Sequence, residues 1–239
     1  KVEVTGANAE AYGVYAGGNI NNLTNEGLIS VFANATGGYA SAYGVEANSI
    51  GNFTNSGDMV VTANATGGNA EAYGVKASNN IDSFTNSGKI EVSATGDSSA
   101  SAYGVYAVNS FTGLFENNGT IQVSATATGD AKGYGVYAGQ DIAGDFVNRG
   151  NSIKVEVTGA NAEAYGVYAG GTINNLTNEG LISVFANATS GDAISAGVNA
   201  LQSIGDFRNS GIIAVSANAT GGEADAVGVL AGWPDETSP

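Results

Sequence analysis

Two carboxylates stand at equivalent places in the pattern of this 239-residue chain, Asp145 and Asp206. If the repeats stack, the two residues lie two coils apart, or about 9–10 Å. That is near the upper end of the separation an inverting glycosidase uses for its acid and base. Arg149 and Arg208 supply the nearby positive charge, and Asn175 occupies the coil between. Solvated surface carboxylates are the simpler reading, and a non-enzymatic chain is expected.

Aromatic residues form the second constellation. Tyr12, Tyr43, Tyr73, Tyr103, Tyr134 and Tyr165 recur at one position, and Tyr15, Tyr106, Tyr137 and Tyr168 at another three residues on. Over coils four to six the two columns predict a contiguous strip of Tyr103, Tyr106, Tyr134, Tyr137, Tyr165 and Tyr168. Aromatic strips bind sugars and drive lateral packing, and they also stabilise a repeat surface by stacking on themselves. By parity Tyr43 and its equivalents point outward.

Asparagine supplies the third. Asn25, Asn55, Asn86, Asn117, Asn148, Asn178 and Asn209 recur in an Asn-x-Gly setting, which predicts a structural ladder hydrogen-bonded from coil to coil. Eight sequons, at Asn22, Asn34, Asn52, Asn64, Asn118, Asn175, Asn187 and Asn218, are glycosylation candidates if the source modifies exported proteins. An Asn- and Thr-rich chain also makes such triplets by chance.

Other chemistries lack their residues. The chain has no cysteine and no histidine, so neither disulfides nor thiolate or imidazole ligands are available. No phosphate-binding Gly-Lys-Ser/Thr loop, metal triad or nucleophile motif appears, and no cofactor is expected. A net charge of −15 argues against nucleic acid as a partner. No apolar run is long enough to span a membrane.

The elements that must position these residues follow from one period. The Gly-Val dipeptide falls at Gly13, Gly44, Gly74, Gly104, Gly135, Gly166, Gly197 and Gly228, always 30 or 31 residues apart, which signals a repeat architecture. Within each repeat an alternating run such as Ile29, Val31, Ala33, Ala35 reads as a half-buried strand. A Thr-Gly-Gly turn or close variant follows, then Ala-x-Ala-Tyr-Gly-Val-x-Ala, then Ile-x-x-(Leu or Phe)-x-Asn-x-Gly. Asn-x-Gly suits a tight turn with positive φ. At Tyr-Gly the inward parity switches, which requires a bulge or corner at Gly44. The copies around Phe115 and Phe146 each carry one extra residue.

Helical periodicity is missing, and the period is too short for a propeller blade. The remaining solution is an all-β fold, a parallel β-helix (β-solenoid) of about eight coils with three short strands each. The handedness of β-crossovers predicts a right-handed wind. Eight coils would make a rod roughly 35–40 Å long.

A longer period lies above the first. Residues 1–36 and 154–189 are identical except that Asn19 becomes Thr172, so a five-coil module of 153 residues is partly duplicated. The array is expected to run over 1–231 as one solenoid, with 232–239 as a cap, exit segment or linker. The chain starts at Lys1 in mid-repeat, without a signal peptide or initiating Met, and reads as a mature or excised segment of a longer protein.

Asn25 to Ala33 (N-x-G-x-I-x-V-x-A) followed by Ala40 to Ala47 (A-x-A-Y-G-V-x-A) resembles the passenger repeats of bacterial autotransporter adhesins and related haemagglutinin-like surface proteins. The resemblance is one of pattern and covers nearly the whole chain. It implies a right-handed β-helix displayed outside the cell. No stretch of these residues matches the family's translocating β-barrel or signal segment, so its export route is not carried over. The expected function is therefore a non-enzymatic, extracellular structural or adhesive rod at the cell surface. A self-assembling filament or sheath subunit is the alternative, and a polysaccharide-cleaving β-helix enzyme the outsider. Partners would be other copies, joined end to end or laterally, or a surface glycan or protein.

Overall fold

The structure, a computed structural model, describes residues 1–232; the segment 233–239, and with it most of the expected cap or linker, lies outside the described residues. The described chain is all-β and contains no helix. Its strands form three parallel sheets of eight, eight and seven strands, giving seven complete coils and two sides of an eighth. The first wall starts with Val2–Gly6 and Leu28–Ala35, the second with Ala9–Ala16 and Ala40–Ala47, the third with Ile20–Asn25 and Ile50–Asn55. In each wall every strand pairs with its equivalents one repeat earlier and later, so the sequence repeat is the hydrogen-bonding repeat.

Register follows from the alternation. Val31 pairs with Val61 and Ala33 with Ala63, and these residues are fully buried. A slip of one residue would turn the whole set to solvent, so one register is strongly preferred. The interior tapers as the Ile-Val-Ala order predicts. Phe53, Phe84, Phe115 and Phe146 stack in the third wall, with centroids 5.3, 4.7 and 4.6 Å apart. Alanines such as Ala63, Ala94 and Ala125 fill the narrow end between the first two walls.

The expected break at Tyr-Gly is present. Ala40, Ala42, Val45 and Ala47 all join the core, and the ladder pairing skips Gly44 while the strand continues. A Cβ at Gly44 would lie 2.5 Å from the carbonyl oxygen of Gly74 and 2.7 Å from the sulfur of Met59. Glycine is there because the neighbouring coil and the facing strand leave no room.

The Asn-x-Gly turn needs a correction. No described non-glycine residue has positive φ, and of the described glycines only Gly67 and Gly232 do. Gly57 and Gly88 are required by proximity: a Cβ on Gly88 would run into the carbonyl oxygen of Gly57, directly below it in the stack. At Gly67, in the Thr-Gly-Gly turn, φ itself (+86°) is the demand, as it is at Gly232 (+68°).

The extra residues near Phe115 and Phe146 are absorbed locally. In the fourth coil the third-wall strand shrinks to Phe115–Asn117, and Phe111 bridges Ile81 and Ile142 in the isoleucine column. In the fifth, the register shifts between Ile142 and Asp145, as a bulge does.

Candidate functional site

The most regular polar feature lies inside. Asn25 donates through Nδ2 to Asn55 Oδ1 at 2.7 Å, and the same bond continues through Asn86, Asn117, Asn148 and Asn178 to Asn209, every rung at 2.7–2.8 Å. Asn55, Asn86, Asn117, Asn148 and Asn178 are completely buried. The same Nδ2 groups also reach main-chain oxygens at the corner, such as Thr120 O from Asn86. A buried amide without partners costs about 1–3 kcal/mol, so the ladder exists because each rung satisfies the next. Its amides are committed to the fold and point to no ligand.

Outside, the tyrosine ladder forms as parity predicts. Tyr12, Tyr43, Tyr73, Tyr103, Tyr134 and Tyr165 stack with centroids 4.8–5.2 Å apart and planes within 10° of parallel. They are not part of the hydrophobic core, yet Tyr43, Tyr73 and Tyr134 are 92–93% covered. The covering comes from the stack itself and from the second column, whose Tyr106, Tyr137 and Tyr168 stack at 4.8 and 5.0 Å. The second column meets the first edge-on, with Tyr134–Tyr137 at 5.1 Å and 86°. Tyr103, Tyr106, Tyr134, Tyr137, Tyr165 and Tyr168 are therefore brought together as one strip.

That packing limits the strip's chemistry. A sugar stacks on an aromatic face, and within the strip those faces are covered by the neighbouring rings except on the later side of Tyr165 and Tyr168, which face the coil of Ala196 and Asn199. Edges and hydroxyl groups remain for contact. Burial, and after it the Glu71 carboxylate, holds the Tyr73 phenol well above its ordinary range; burial and then Glu163 do the same to Tyr134. Tyr165 is pushed up to about 12 by burial and by Glu163. These are neutral hydroxyls across the physiological range.

Lys76 replaces tyrosine in the second column, a role its isolated position in the sequence did not signal. Its Nζ lies 2.8 Å from Glu46 Oε1, with both side chains largely covered, and 4.7 and 4.9 Å from the Tyr43 and Tyr73 ring centroids. Desolvation works against its charge, but the bond to Glu46 and the neighbouring phenol and carboxylates outweigh it, and its pKa is raised. Further along the same column, Asn199 is buried and its Oδ1 has no protein donor among the described residues.

Asp145, Asn175 and Asp206 occupy one column of the third wall. Asn175 donates to Asp145 Oδ1 at 2.8 Å, and both carboxylates line a shallow polar depression with Arg149, Thr177 and Arg208. Arg149 turns to Glu116 and Glu179, at 2.6 and 3.3 Å. Among the described residues no group of three or more acidic side chains gathers as a metal site would require.

Most of the sequons lie within strands and in register. Asn52 donates to Asn22 and Asn64 to Asn34, at 2.8 and 3.1 Å. Asn187 and Asn218 are paired neighbours, and Asn175 is held by Asp145. Asn118 alone among the eight sits exposed at a turn, between the buried Asn117 and Gly119. No helix of the described residues is long and apolar enough to cross a membrane. No protein-family model, curated protein or solved structure matches this chain, so its function is argued from this geometry.

Proposed function

We propose that this chain is a non-enzymatic structural rod segment displayed outside the cell, as the pattern resemblance to passenger repeats suggests. One observation carries the reading. The most regular side-chain columns, the asparagine, phenylalanine and tyrosine ladders, are occupied by contacts with their own equivalents in adjacent coils. Such a molecule invests its regularity in holding a fixed spacing. Its exposed columns of Asn, Thr, Ser and carboxylate, at net charge −15, keep that surface solvated.

The test is display of the chain between a surface anchor and a reporter domain, with binding to a glycan array and cleavage of polysaccharides measured on the purified chain. The reading expects the reporter to be held at a set height, with neither cleavage nor array binding. Cleavage abolished by Asp145→Asn would overturn it in favour of an enzyme.

Adhesion is the second reading, favoured by the outward edges of the strip formed by Tyr103, Tyr106, Tyr134, Tyr137, Tyr165 and Tyr168. Array binding that Tyr137→Ala weakens would establish it.

A further inference from the structure

Each corner that closes the third wall runs Asn-x-Gly, and the exposed middle residue changes from coil to coil: Glu26, Ser56, Ser87, Asn118, Arg149, Glu179 and Ser210. Only the fourth coil places asparagine there, which makes Asn118-Gly119 the one Asn-Gly step in the sequence. Such a step carries its own nucleophile. The main-chain nitrogen of Gly119 can attack Asn118 Cγ, since glycine has no Cβ to obstruct the approach. The N–Cγ bond forms, Nδ2 leaves as ammonia with the Gly119 amide proton, and a succinimide remains. Water then opens one of its two C–N bonds. Opening at Cγ gives aspartate. Opening at the Asn118 carbonyl carbon gives isoaspartate, whose main chain passes through Cβ and is one carbon longer.

The fold withholds that nitrogen. The N–H groups of Asn118 and Gly119 both donate to Asn86 O, at 2.7 and 3.0 Å, and Thr120 N–H donates to Gly88 O at 2.9 Å. Gly119 is buried. It is also hemmed in along the stack: a Cβ on Gly119 would run into Gly88 O, and one on Gly150 would run into Gly119 O. To attack, the nitrogen must give up its bond to Asn86, and the Asn118–Gly119 peptide must turn between two coils that leave it no room. The reaction waits for the corner to open.

We infer that Asn118 is a latent deamidation site, silent in the stacked coil and released by unfolding. The isoaspartate product makes the step one-way for the fold. It lengthens the main chain between Asn117, a rung of the buried ladder, and Gly119, whose place is set by the carbonyl of Gly88. The corner cannot regain both positions, so a chain that has stayed unfolded does not return to the stack. Serine in the same column shows how the step is removed. Ser87 and Gly88 N–H donate to Asn55 O at 2.8 and 3.2 Å, the same pair of bonds without a side-chain amide. Asn118→Ser therefore keeps the corner and lacks the leaving group.

The test holds the original chain and Asn118→Ser at mildly alkaline pH and body temperature, either folded or in guanidinium chloride, and then dilutes both to refold. Peptide mass analysis follows deamidation and isoaspartate at Asn118, and circular dichroism follows recovered strand. Modification of Asn118 should be at least about tenfold slower in the folded chain than in the denatured one. Refolding of the original chain should fall in step with isoaspartate, while Asn118→Ser recovers fully. Equal rates in the two states, no modification in either, or an original chain that refolds with isoaspartate in place would each overturn the inference. Equal loss of refolding in both chains would do the same.

Discussion

Asn86 Nδ2 donates to Asn117 Oδ1 at 2.8 Å, in a place where neither side chain touches solvent. Each of the two amides is the other's replacement for water, and the same holds along the ladder. Asn117→Ala would leave Asn86 Nδ2 with only the longer bond to Thr120 O, at 3.3 Å, and would strand the buried Asn148 Oδ1 without its side-chain donor. The expected loss is about 1–3 kcal/mol of stability, the cost of one stranded buried group. Asn52→Ala, which breaks the exposed bond to Asn22, should cost about 0.5 kcal/mol or less. Urea unfolding of the two variants reads the contrast, and equal losses would contradict a buried ladder.

Glycines that look alike in sequence differ in what they tolerate. At Gly27 an added Cβ meets nothing within 4 Å, while at Gly88 it meets the backbone of Gly57. Gly27→Ala is expected to be neutral or slightly stabilising. Gly88→Ala should lose about 1–3 kcal/mol, since a backbone atom cannot turn aside as a side chain can. Thermal melts of the pair decide it.

The tyrosine ladder makes stability depend on alkaline pH. The folded-state values of Tyr73, Tyr103 and Tyr134 are raised, chiefly by burial, and Tyr165 is raised to about 12. A phenol raised on folding contributes stability that is complete below its unfolded value of about 10 and is lost as pH rises through the folded values. Stability should therefore be flat from neutral pH to about 9 and fall steeply above 10. Tyrosinate absorbance should rise for these residues together with loss of strand structure. Smooth independent titration near pH 10 with the fold intact would contradict the buried stack.

Phe115 stacks between Phe84 and Phe146 and meets Phe111 at 89°, wholly buried. Phe115→Ala should cost about 3–5 kcal/mol. Tyr165→Ala, a change that the neighbouring coil already carries as Ala196, should cost less. Unfolding midpoints in urea give both values.

The three walls were legible because Ile29, Val31, Ala33 and Ala35 repeat their alternation at each coil, and register then follows. The asparagine ladder was legible because Asn in every repeat at a corner has one economical use. Three features were hidden for physical reasons. Lys76 gains its role only from Glu46 one coil away. Phe111 takes an isoleucine's place across a break in the period. The glycines of Asn-x-Gly are required by carbonyls some 30 residues distant, which local turn chemistry does not report. The tyrosine columns were visible, but that they would cover one another's faces depends on ring orientation, which spacing alone does not set.

The central claim is that these coils hold a fixed axial spacing. Thr5 and Asn218 lie in one outward column, joined through Asn34, Asn64, Thr95, Thr126, Thr158 and Asn187, seven coil steps apart. With no native cysteine, Thr5→Cys and Asn218→Cys accept a dye pair cleanly. Single-molecule energy transfer should report one narrow distance near ~34 Å, at about 4.8 Å per step. A broad distribution, or a distance that drifts between molecules, would contradict the rod.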